Sequence, residues 1–113
     1  MTGQNDAIDR QVLLDLTGGD AAFARELLEM FRNTLSERVR NIGAGIERGD
    51  LTRIKNASHQ LKGAAAMVGA AVMTDICERI ELAAKEGDVP PLTRLYEALT
   101  EAAEQVMKQL AQI

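Results

Sequence analysis

An all-α fold is predicted by three observations. Apolar residues recur at intervals of three and four in five separate stretches, no stretch alternates with the period of two that marks a strand, and turn signals separate the stretches. The expected architecture is an antiparallel up-down four-helix bundle with a short additional N-terminal helix. Ile8, Val12 and Leu16 line the first stretch, which stops at Thr17, Gly18 and Gly19. Asp20 is placed to cap the second, where Phe23, Leu27, Met30 or Phe31, Leu35, Val39, Ile42 and Ile46 form the stripe. Gly43 and Gly45 each cost about 1 kcal/mol relative to Ala inside a helix and mark a place for a bend. Gly49 and Asp50 repeat the device of a glycine stop followed by an aspartate cap. Leu51, Ile54, Leu61, Ala65 and Val68 line the third stretch, interrupted at Gly69. Met73, Ile76, Cys77, Ile80 and Ala84 line the fourth. The run Gly87, Asp88, Val89, Pro90, Pro91 closes it and opens the fifth, lined by Leu92, Leu95, Leu99, Ala102, Val106 and Leu110.

Composition agrees and excludes several functions. At 113 residues the chain suits one domain, residues 1–113. Aromatic residues are only 3% of it against 46% apolar residues overall, which favours helix packing over a β-sandwich. A net charge of −4 argues against nucleic acid. No apolar run approaches the roughly eighteen residues of a membrane span, and Met1–Asp6 lack the basic and hydrophobic regions of a signal peptide. Cys77 has no partner for an internal disulfide, which fits a reducing cytoplasm. One His and one Cys on different helices make no metal-ligand spacing, and no Gly-rich phosphate loop is present, so no metal and no cofactor are expected.

The third helix carries the chemistry. At about 100° per residue, Ile54, Leu61, Ala65 and Val68 fall opposite His59, the single histidine. Thr52, Lys55, Asn56, Lys62, Gly63 and Ala66 fall on its side, so His59 is expected to face solvent. Lys62 follows it by three residues and is its neighbour on the helix surface. Gly63, despite its cost in a helix, removes a side chain from that face, and Ala64, Ala65 and Ala66 extend the low relief. No acidic residue occurs between Asp50 and Asp75, whereas Arg53, Lys55 and Lys62 do. An acidic chain thus has a basic strip around its histidine. Neutral imidazole is a nucleophile that can carry a phosphoryl group, and a cation one turn away stabilises the anionic adduct.

The run His59, Gln60, Leu61, Lys62, Gly63, followed by small residues and by Val68 and Gly69, resembles the signature of histidine-containing phosphotransfer domains. The turn ending in Asp20, Phe31 and the Gly49–Asp50 turn are similar to that family too, over roughly residues 8 to 112. The resemblance implies a phosphocarrier in a multistep two-component phosphorelay, without catalytic turnover of its own. His59 would accept the phosphoryl group at Nε2, Lys62 would stabilise it, and Gly63 would give clearance to a docking receiver domain, with Lys55, Ala66 and Met67 on the same docking face. In some relatives a Glu or Gln of the next helix holds the histidine Nδ1, and Glu81 matches by spacing. The implied partners are receiver domains of response regulators and of a hybrid histidine kinase, which bring their own Mg²⁺, and a monomer is expected.

Plainer roles stand beside these. His59 and Lys62 could be ordinary surface residues, Gly63 a packing glycine, and Glu81 a solvated acid. Met67 could serve either the docking rim or the core edge, and Cys77 reads as core. Two other functions compete. A histidine-kinase dimerisation and phosphoacceptor fragment would need an ATP-binding domain, for which the chain is too short. A helical interaction module that is never phosphorylated would tolerate His59→Gln.

Overall fold

The computed structural model describes residues 7–112. The reading of Met1–Asp6 as carrying no signal peptide lies outside them. Five helices are present: α1 (Arg10–Leu16), α2 (Ala21–Arg48), α3 (Leu51–Met67), α4 (Ala71–Glu86) and α5 (Leu92–Ala111), with no strand among the described residues. The expected aspartate caps are in place. Asp20 accepts from the Phe23 amide at 3.0 Å and Asp50 from the Arg53 amide at 3.1 Å, each satisfying an amide that the helix cannot. Asp9 caps α1 in the same way through the Gln11 amide at 3.0 Å.

Helices α2 to α5 close a ring in which α3 packs on α2 and α4, and α5 on α4 and α2. The links within the ring are short (49–50, 68–70 and 87–91), so each helix reverses the direction of the one before. Helix α1 rests on α2 and α3 at one end. It is fastened there by the segment before it. The Ile8 amide donates to Gln109 Oε1 at 2.9 Å and the Gln109 amide group donates back to the Ile8 carbonyl at 3.2 Å.

The core is aliphatic. Leu35, Ile42, Ile54, Leu61, Met73, Ile80, Leu92, Leu99 and Val106 are fully buried, joined by Ile8 and Leu13 from the N-terminal segment. Ser58 is the one buried polar residue among those described, and its hydroxyl donates to the Ile54 carbonyl at 2.7 Å, one turn back.

Two of the expected stripes are out of phase. In α1, Val12 and Leu16 are exposed and Leu13 is buried. In α2, Phe23 and Met30 are exposed and Leu27 is only half-buried, while Ala24, Leu28 and Phe31 face the core. For α2 the cause is length. Helix α2 has 28 residues, about 42 Å, and the molecule is 41 Å long. Helix α3 has 17 residues, about 25 Å, so the first turns of α2 have fewer neighbours and bury a narrower stripe. From Phe31 onward Leu35, Val39 and Ile42 lie in the core as expected.

The glycines of α2 do not interrupt it. A Cβ at Gly43 would sit 2.5 Å from the Tyr96 hydroxyl of α5, and one at Gly45 2.9 Å from Cγ1 of Ile54 in α3. They allow close helix approach, and α2 runs unbroken through both. Gly69 does something different. It has φ +73°, its carbonyl accepts from the Asp9 amide at 2.9 Å, and a Cβ there would collide with the Asp9 carbonyl. Gly69→Ala therefore combines a left-handed backbone with a backbone clash. It is expected to destabilise the protein by more than about 1 kcal/mol in urea unfolding, through loosening of the α1 end.

Candidate functional site

On α3 the residues Thr52, Asn56, His59, Gly63 and Ala66 follow helical spacing along one line, and all five are exposed. Lys55 and Lys62 flank the line and are half-buried. The His59 side chain is 66% exposed. A Cβ at Gly63 would meet nothing within 4 Å, so this glycine serves no helix contact inside the molecule. Met67 is half-buried and packs against the core.

Glu81 reaches this face from α4. Its Oε2 lies 2.9 Å from His59 Nδ1, and its Oε1 lies 2.7 Å from the Lys62 ammonium. The carboxylate is largely covered, and Oε1 has no hydrogen-bonding neighbour beyond that ammonium among the described residues. The bond to Lys62, aided by His59, holds the Glu81 carboxyl below its ordinary range against the opposing effect of desolvation. The same bond raises the Lys62 ammonium above its ordinary value. An ionised carboxylate only accepts hydrogen bonds, so His59 Nδ1 must be the donor. In the neutral ring the lone pair then sits on Nε2, which has no hydrogen-bond partner among the described residues.

The structure thus brings His59, Lys62 and Glu81 together and arrays Gly63 and Ala66 beside them. The link between Lys62 and Glu81 had no signal in the sequence, because the two residues lie on different helices. Beneath the site Cys77 is buried, and burial pushes its thiol up to about 12, leaving it unreactive at neutral pH. No three His, Cys, Asp or Glu side chains form a metal-binding group among the described residues. No helix there is long and apolar enough to cross a membrane.

The Lys62–Glu81 contact has a defined pH window. Glu81 is depressed from an ordinary 4.5, so its contribution to stability is present above that value and lost as pH falls through its lower folded value. Lys62 is raised from 10.5, so its contribution is complete below that value and lost as pH climbs through its higher folded value. Glu81→Gln is expected to be less stable than wild type between these limits. In thermal melts across pH, the gap between the two proteins should close at both ends.

The chain matches the family described as the Hpt domain over residues 26–109. It is 25% identical over 103 residues to the phosphorelay intermediate protein rdeA of Dictyostelium discoideum, covering 91% of this chain and 41% of that protein. The chain therefore spans less than half the length of this curated relative. Its fold resembles the crystal structure of histidine-containing phosphotransfer protein B (HptB) from Pseudomonas aeruginosa PAO1. The TM-score is 0.87 at 24% identity, covering 96% of this chain and 94% of that one. It also resembles the HPT domain of a sensor hybrid histidine kinase from Shewanella, with a TM-score of 0.76 at 25% identity over 96% and 97% of the two chains. The helical bundle, the exposed histidine line and the match over most of the chain converge, and the chain belongs to the Hpt domain family.

Proposed function

We propose that this chain, acting as one domain, is a cytoplasmic phosphocarrier of a multistep phosphorelay, and that His59 carries the phosphoryl group between receiver-domain aspartates. One observation carries the reading. A single histidine stands on an exposed helix face with Nδ1 held by a carboxylate and Nε2 without a partner among the described residues. The phosphorelay name of the rdeA relative supports it.

The chemistry balances without a cofactor in this chain. The Nε2 lone pair attacks the phosphorus of a receiver's aspartyl phosphate, the acyl P–O bond breaks, and its electron pair returns to the aspartate carboxylate. The new Nε2–P bond leaves the ring positively charged, with the Nδ1 proton still directed at Glu81. Transfer to a second receiver reverses each step. Such reactions ask chiefly for positioning and charge stabilisation, and Mg²⁺ belongs to the receiver. Lys62, at the adjacent turn, is the group that stabilises the phosphoryl oxygens. Glu81 orients the ring, and Gly63, Ala66 and Lys55 belong to the docking surface, with Met67 at its inner edge. The bundle closes within one chain, which supports reading the carrier as a monomer.

The direct test is incubation with a radiolabelled, phosphorylated receiver domain. Wild type should acquire acid-labile, alkali-stable label and His59→Gln none, while the circular dichroism of the two stays the same. Label retained by His59→Gln would end the assignment. Lys62→Ala should transfer about tenfold more slowly, through loss of the cation beside the phosphoryl oxygens.

Gly63→Trp tests the surface rather than the chemistry. It should fold normally, since the position is open, and should weaken receiver binding in a pull-down or titration. Undiminished binding would remove Gly63 from the docking face.

A further inference from the structure

The exposed line of α3 has a built flank on its α2 side. A groove between α2 and α3 is lined by Arg38, Arg40 and Asn41 of α2 and by Arg53 and Gln60 of α3. Gln60 directly follows His59, so the groove runs from beside the histidine toward the start of α3. Three arginines face one glutamate, Glu37, along this groove in a chain of net charge −4.

Two of these arginines are held in place by neutral acceptors. Arg53 donates through Nε to Asn41 Oδ1 at 2.8 Å, and Arg38 donates through Nε to Thr34 Oγ1 at 3.2 Å. Both are half-buried, so their stems lie along the groove and their orientation is fixed. In each the Nε is used, and among the described residues the terminal amino groups of the fork have no hydrogen-bond acceptor. Among the described residues no guanidinium nitrogen of Arg38, Arg40 or Arg53 lies within 4 Å of a carboxylate oxygen, and Asp50 reaches only the backbone amide of Arg53, whereas Arg79 on α4 is paired with Asp75 at 3.1 Å. Pre-oriented guanidinium forks not already paired with a carboxylate are the geometry that takes one in two parallel hydrogen bonds. Beyond Ala66 the opposite flank has the other sign. Asp9, Asp75 and Glu78 line a second groove there. A partner that covers His59 meets positive charge on one side and negative charge on the other, which fixes its rotation about the histidine.

We infer that the α2–α3 arginine groove is the specificity-determining contact of this surface, and that it seats carboxylate side chains from the rim of a receiver domain docked over His59. The inference rests on the phosphocarrier reading and adds to it a rule for which receivers are served: those with an acidic rim on one side of their phosphorylated aspartate.

The experiment uses purified, phosphorylated receiver domains in two sets, one with an acidic rim around the aspartate and one with a neutral or basic rim. Transfer kinetics are measured for wild type, Arg38→Gln/Arg53→Gln and Arg38→Glu/Arg53→Glu. The Gln pair keeps most of each stem, and a Glu at position 53 suits the first turn of a helix, so both variants should retain full helicity by circular dichroism. The acidic set should show KM raised about tenfold by the Gln pair and further by the Glu pair, with kcat little changed, while the other set is unaffected. Added salt should weaken transfer from the acidic set to wild type and have little effect on the Gln pair. Phosphoramidate, a small phosphodonor that needs no docking, should label His59 equally in all three proteins. Equal KM values for wild type and the Gln pair with the acidic set would overturn the groove assignment while leaving the carrier intact. So would tight, saturable binding of inorganic phosphate in the groove by NMR, which would make it a small-anion site. Failure of both phosphoramidate and every receiver to label wild type is the separate result that overturns the phosphocarrier reading, and the groove assignment with it.

Discussion

The site depends on one carboxylate from α4 reaching two side chains of α3. Because His59 and Lys62 are one turn apart, the two oxygens of Glu81 can hold both at once, at 2.9 and 2.7 Å. That reach requires the two helices to lie close. Both helices carry small buried residues, Ala57 and Ala65 on α3 and Cys77, Ala83 and Ala84 on α4. The turn between them is equally constrained, since Gly69 has backbone where a side chain would collide. Packing, turn and site are therefore one arrangement.

The fold does not depend on the site in return. An ion pair near the surface such as Lys62–Glu81 adds little to stability, and the apolar interior holds the bundle together without it. The glycines show how this division is made. Gly43 and Gly45 are lodged against Tyr96 and Ile54 and belong to the packing, while Gly63 touches nothing. The helix cost of Gly63 is offset by no contact inside the molecule, which is the observation behind its proposed place on the docking surface.

Much of this was legible in the sequence, for identifiable reasons. Helix boundaries at Asp20, Asp50 and Gly87 depend on local chemistry, which a sequence carries directly. The outward direction of His59 followed from the phase of Ile54, Leu61 and Ala65, because α3 is packed along its whole length. The phase of α2 before Phe31 was misread. There two stripes with helical spacing compete, one with Phe23 and Met30 and one with Ala24 and Leu28, and only the positions of neighbouring helices decide between them. Contacts between helices were the other blind spot. The bond of Lys62 to Glu81 and that of Arg53 to Asn41 depend on which faces meet, and no spacing within one helix encodes them.

The charge balance of the triad bears on why a carrier would be built this way. With His59 neutral, Lys62 and Glu81 cancel, so the unmodified site presents an uncharged nucleophile beside a cation already engaged. On the proposed reading a phosphoryl group on Nε2 would bring negative charge to that cation, and Lys62 would then be shared between Glu81 and the phosphoryl oxygens. A lysine with no carboxylate partner would bind the phosphoryl group more strongly and make it harder to release. Glu81 would thus act in two opposed senses, supporting the charged ring through Nδ1 and moderating the lysine through Oε1. That balance suits a group that must be both accepted and given up, and it leaves the choice of partner to the surface around the histidine rather than to the histidine itself.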